Sequence, residues 1–208
     1  MRTETITRII YKYDELPTEK AKETARDWWR DGEHYSWNAE YFDSLRKFCD
    51  VLNIKIADWG IDYYNPGASY VKFRYDFQDA EDLSGLRLRT WIINNWLPKF
   101  AQGKYYSTKG HHDTNGKYYH KSRHSKIFIE YDNCPLTGFV GDISLIQPIL
   151  DFIKKPDSRD LEDILYACKE NFISEFCSDM QSQDEDEYVA DTITANEYEF
   201  TEDGKFYH

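Results

Sequence analysis

Along residues 3–13 the chain alternates. Thr5, Thr7, Ile9, Tyr11 and Tyr13 fall on one side, and Ile6, Arg8, Ile10 and Lys12 on the other. That is the two-residue period of a strand, and apolar residues on both sides predict that both faces are covered. The next segment, ELPTEKAKETARDWWRDG, places Pro17 near a first helical turn, an apolar stripe at Ala21, Ala25, Trp28 and Trp29, and Gly32 as a stop. These are the signals of a helix. Trp37, Tyr41, Leu45, Phe48 and Leu52 recur every three or four positions and mark one face of a second helix.

From Ile54 the period returns to two. Beyond the turn at Asn65-Pro66-Gly67, Val71, Phe73, Tyr75 and Phe77 alternate with Lys72, Arg74 and Asp76, and residues 54–64 are the expected antiparallel partner. Leu88, Ile92 and Trp96, with Trp91 beside them, predict a helix closed by Pro98. KIFIEYD at 126–132 reads as another strand, and everything after Asn133 reads as helical. Ile146, Ile149, Leu150 and Ile153 define one helix before Pro156, and Leu161, Ile164, Leu165, Cys168, Phe172 and Phe176 define a longer one. Ser182 and Glu185 have the spacing of a capping box for a third helix carrying Tyr188, Val189, Thr192 and Ile193. Asp203-Gly204 suits a two-residue hairpin turn near the end.

The predicted architecture is α+β, a mostly antiparallel sheet packed with helices, followed by a C-terminal helical segment. Residues 1–132 would form the α+β core, with a basic loop or finger at 101–125. Residues 133–208 would form a helical, acidic segment packed on it.

Length and composition sharpen this picture. A chain of 208 residues can bury a single core, and 17% aromatic content predicts a core built around rings. No apolar run approaches the ~20 residues of a membrane helix, and the first residues lack the apolar stretch of a secretory signal, so a cytoplasmic protein is expected. Cys49, Cys134, Cys168 and Cys177 include no C-x-x-C pair and read as reduced thiols.

The net charge of -12 is unevenly distributed. Residues 181–208 hold nine acidic residues and one basic, whereas residues 100–126 hold six Lys/Arg and one acid. In the basic stretch Lys104, Tyr105, Lys109, Lys117, Tyr118, Lys121, Arg123 and Lys126 combine cations suited to phosphates with rings suited to stacking, as in a nucleic-acid or other anionic contact. A loop merely solvated, or lying against the acidic tail, has the same composition. Asp184, Glu185, Asp186 and Glu187 suit the positive end of a helix dipole. Together with Asp191, Glu197 and Glu199 they would also form a negative surface able to steer toward a basic partner.

Catalytic signatures are absent from the sequence: there is no H-E-x-x-H, G-x-S-x-G or Walker loop. His111, His112, His120 and His124 would offer metal ligands only on a supporting scaffold, and exposed loop histidines are the simpler reading. Cys134 would be a nucleophile only with a base nearby, and a structural thiol is simpler. No enzyme activity, cofactor or metal is expected.

Three stretches carry a resemblance that spans most of the chain: IIYKYDELPTEKAKETARDWWRDGEHYSWNAEYFDSL, DNCPLTG and DEYVADTITANEYEFTEDGKFY. They resemble a family of small acidic proteins carried by phages, prophages and conjugative elements, some of which are labelled antitoxins. The basic stretch at 101–125 looks like an elaboration specific to this chain. The resemblance implies a mobile-element setting, in which such proteins often bind host machinery, including restriction and CRISPR-type defence complexes. The leading expectation is therefore an inhibitor that binds a host protein or nucleoprotein through its acidic surface. A nucleic-acid-binding accessory protein acting through residues 103–126, and an antitoxin-like partner of a toxin, are the alternatives.

Overall fold

The computed structural model describes residues 8–32, 38–100, 102–107, 111–119, 123–130 and 134–207; at 102–107, 111, 119 and 123–130 the backbone alone is described. The fold is α+β, every strand pairing is antiparallel, and the C-terminal third is mostly helical. Among the described residues the strands form four separate two-stranded ribbons, not one sheet. The chain divides into two compact units, Met1–Ser36 with Ser178–His208, and Trp37–Cys177. The division does not fall at 132/133, where the sequence changes character.

The smaller unit joins the two ends of the chain. Strand β1 (Tyr11–Lys12) pairs with β8 (Glu199–Phe200), setting Tyr11 opposite Phe200 and Lys12 opposite Glu199. The ladder stops there because β8 has only two residues, and the chain enters a 3-10 turn at Tyr13–Glu15. Of the long covered strand expected at 3–13, Tyr11–Lys12 form a strand. Residues 8–10 lie outside it with Ile9 and Ile10 exposed, and positions 3–7 lie outside the described residues.

Helix α1 (Glu19–Asp31) starts two residues after Pro17, because the Thr18 side chain accepts a hydrogen bond from the Ala21 amide and caps it. Gly32 ends it as expected. The buried face of α1 carries Ala21, Ala25 and Trp29, which meet Val189 and Ile193 of helix α6 (Asp186–Ala195) and Phe200 of β8. Trp28 stacks on Phe206 with centroids 4.0 Å apart and takes Tyr198 and Phe200 edge-on.

The hairpin that returns Phe206 to Phe200 differs from the expected two-residue turn. The Gly204 amide donates to the Thr201 carbonyl and the Thr201 amide to the Lys205 carbonyl, with Gly204 at φ +81°. This is a three-residue loop ending in a glycine bulge. A Cβ on Gly204 would overlap the Ala21 carbonyl oxygen.

The larger unit is built on helices α2 (Asn38–Leu52), α3 (Gly85–Asn95), α4 (Gly141–Lys154) and the greater part of α5 (Leu161–Gln183). Their shared core includes Tyr41, Leu45, Phe48, Leu88, Ile92, Trp96, Ile149, Phe152, Cys168 and Phe172, all nearly inaccessible. Strands β2 (Lys55–Gly60) and β3 (Tyr70–Arg74) form one ribbon, with a register shift between Ile56 and Asp58. β3 ends before Tyr75, earlier than the alternation suggested.

Pro148 interrupts the hydrogen bonding of α4 because it has no amide to donate back to Ser144. Asn171 of α5 supplies the missing donor, its side-chain amide lying 2.7 Å from the Ser144 carbonyl oxygen. Asp142 is buried in the first turn of α4, and its carboxylate accepts from the amides of Leu136, Thr137 and Gly138 and from the Thr137 hydroxyl. Residues 136–138 of the DNCPLTG stretch are therefore held at the start of α4 by one carboxylate.

The basic stretch forms a two-stranded finger. β4 (Gln102–Ser107) pairs with β7 (Arg123–Glu130), and between them β5 (His111–His112) pairs with β6 (Tyr118–Tyr119). No helix among the described residues is long and apolar enough to cross a membrane.

Candidate functional site

The acidic residues separate into those used by the fold and those that face solvent without partners. Asp186 belongs to the first group. It pairs with Arg30 at 2.5 Å and with the Arg26 Nε at 3.4 Å, and Arg30 holds its carboxyl below the ordinary value, with Arg26 adding to the effect. Arg26 is almost fully buried and also donates to the Tyr13 hydroxyl (2.7 Å) and to Glu19 (3.0 Å). Arg30 further donates to the Asp184 carbonyl oxygen just past the end of α5. Two arginines of α1 thus fix the α5–α6 connection in place. Glu197, at φ +55°, pairs with Lys12, and Glu199 lies in β8 with its carbonyl accepting from the Tyr207 amide.

The expected capping box does not form. Ser182 lies inside α5, where its hydroxyl donates to the Asp179 carbonyl, and α5 runs on because Met180 and Gln183 are buried. Glu185 is the N-cap of α6, with no side-chain cap. Only Asp186 and Glu187 therefore lie in the first turn of α6. A reciprocal cap does occur at the start of α5, where Asp160 and Asp163 each accept from the other's amide.

Glu185, Glu187 and Asp191 are exposed, and their carboxylates have no ion pair or hydrogen-bond partner among the described residues. Glu187 and Asp191 lie one helical turn apart, and between them Tyr188 exposes 41% of its surface. The tyrosine was not singled out from the sequence as a contact. The opposite face of α6 is held by buried Val189 and Ile193. The arrangement presents three carboxylates and a phenol from a fixed backbone.

The low pKa values in this unit give its stability a pH dependence of definite sign. Asp203 is held down at about 2 by hydrogen bonds from Lys205 and Thr201. Asp186 is depressed as well. An unfolded Asp titrates at about 3.9. Groups depressed in the folded state add stability that is complete above about pH 4 and is lost as the pH falls through the folded values. Thermal unfolding followed from about pH 5 down to about pH 2 should show a falling midpoint, part of which Asp203→Asn removes.

The finger residues are only partly described. Lys104 and Tyr105 lie in β4, Arg123 and Lys126 in β7, with Arg123 opposite Ser107; Lys109 and Lys121 lie outside the described residues. Lys117 and Tyr118 are exposed at the inner hairpin. Asp113, the one acid in residues 100–126, accepts from the Asn115 and Lys117 amides and so closes the turn. His124 lies in a strand and not on a helical face, and the His112 Nδ1 lies 3.1 Å from the Gly116 carbonyl oxygen. Among the described residues no group of three or more His, Cys, Asp or Glu is placed to hold a metal ion. Burial, reinforced by Asp142, pushes the Cys134 thiol up, which opposes thiolate formation. Compared with family models, curated proteins and solved structures, the chain matches none.

Proposed function

We propose that the protein is a non-enzymatic binding protein of a mobile genetic element. It engages a basic surface of a host protein or nucleoprotein and blocks it, as an anti-CRISPR or anti-restriction factor would. The observation that carries this reading is the solvent face of α6, where Glu185, Glu187 and Asp191 surround exposed Tyr188 and are not consumed by ion pairs. Carboxylates without internal partners, carried on a chain of net charge -12, steer toward a cationic surface, and a tyrosine among them supplies an amphipathic anchor. The mobile-element setting and the defence target rest on the resemblance of the three sequence stretches.

The triple change Glu185→Gln, Glu187→Gln, Asp191→Asn tests the reading. Affinity for the partner should fall at least about tenfold at low salt, mainly through slower association, with the unfolding midpoint nearly unchanged. Unchanged association in a folded triple variant would sink it.

The finger favours a second reading, direct nucleic-acid contact. Residues 100–126 hold six Lys/Arg against one acid, Asp113, whose carboxylate accepts from the Asn115 and Lys117 amides, and cations in such excess suit phosphates.

A further inference from the structure

The larger unit contains a cleft of about 250 Å³ between the segment that follows β3 and the start of α5. One wall is aromatic. Tyr75 and Phe77 stack with centroids 5.5 Å apart and planes within 20°. Phe77 is braced edge-on by Trp91 and Trp96, each at 5.6 Å, and the Trp91 Nε1 donates to Asp79 at 2.7 Å. The rings are therefore held in place before anything binds.

The other walls carry Asp76, Glu81, Asp160 and Glu162, and no Lys or Arg lines the cleft. Asp160 is used to cap α5. The carboxylates of Asp76, Glu81 and Glu162 have no hydrogen bond or ion pair among the described residues. Burial, then Glu162 and Asp160, raise the Tyr75 phenol, as expected where the local potential is negative. A preformed ring face beside unpaired carboxylates fits a flat or compact organic cation, which stacks on the ring and bonds to the acids. The volume is below that of a typical drug-sized site and suits a single head group on a linear stem.

We infer that this cleft is a binding site for an organic cation, a guanidinium or alkylammonium head on an aliphatic stem. The head is carried either by an Arg or Lys side chain of a basic protein segment or by a free polyamine. This inference stands on the larger unit alone and does not depend on the α6 surface.

The test is titration of the full-length protein with hexa-arginine and, separately, with spermidine, at low ionic strength, followed by calorimetry and by the fluorescence of Trp91 and Trp96. Saturable binding of either probe should weaken at least about tenfold in Glu81→Gln/Glu162→Gln, and also in Tyr75→Leu, which removes the ring face and keeps the charges. Binding of hexa-arginine alone assigns the site to a protein side chain, and binding of spermidine assigns it to a free amine. Absence of saturable binding by both probes, or binding that neither cleft variant changes, overturns the inference. Either result leaves the α6 reading to its own triple variant.

Discussion

Gly204→Ala is expected to destabilise the smaller unit by about 4 kcal/mol. The left-handed backbone alone costs a non-glycine residue ~1–2 kcal/mol. The larger part comes from contact, since a Cβ here would overlap the Ala21 carbonyl oxygen and come within 2.7 Å of its carbon, and this is main chain in the capped, packed first turn of α1. The hairpin would have to lift from α1, loosening Phe206 and Phe200 from Trp28, and loosened aromatic packing costs ~2–5 kcal/mol. Asparagine separates the two causes. It tolerates the left-handed region but carries a Cβ, so Gly204→Asn should fail as alanine does. Gly116, at φ +79° with nothing within 4 Å of its would-be Cβ, is the internal control. Gly116→Ala should cost only the conformational ~1 kcal/mol. Denaturant unfolding followed by near-ultraviolet circular dichroism reads all three, and a Gly204→Ala cost under about 1 kcal/mol would contradict the packing described.

Asp142→Ala is expected to cost the larger unit about 3 kcal/mol. Three backbone amides and one hydroxyl converge on a buried carboxylate, and bonds to a charged acceptor are individually worth ~1.5–3 kcal/mol. The sum is not fully lost, because this partly buried loop can open to water. Asp142→Asn should do little better, since it places an NH2 group among donors. Cys134 provides a second readout. Its thiol is raised by burial and then by Asp142, so in Asp142→Ala it should react faster with a thiol reagent. Unfolding midpoints and labelling rates both unchanged would show that the carboxylate does not hold the loop.

Helices with strong stripes were legible in the sequence. Tyr41, Leu45, Phe48 and Leu52 in α2, and Leu161 through Phe176 in α5, are buried as their spacing required. Ribbon ends were not, because a strand's length is set by its partner. Nothing in residues 3–13 announces that β8 offers only two residues. The Ser182–Glu185 spacing misled because burial of Met180 and Gln183 carries α5 through the supposed cap. Asp160-x-x-Asp163 was the cap signal that was passed over. Of the acidic surface, its location was readable but its division was not. That Asp186 is bound by Arg26 and Arg30 depends on a contact between residues more than 150 positions apart. The Tyr75–Phe77 cleft was hidden for a similar reason, since those rings read as the end of a strand, and Asp160 and Glu162 on its far wall come from the start of α5.

The central claim is that the acidic face of α6 recognises a basic host surface. Its most direct measurement is affinity capture from a nuclease-treated host lysate, comparing the parent, the triple α6 variant and a variant with Ser at all six Lys/Arg of the finger. A defined protein complex should be retained by the parent after nuclease, retained by the finger variant, and lost by the α6 variant. Retention that vanishes with nuclease and survives the α6 changes would contradict it, and would move the binding activity to the finger.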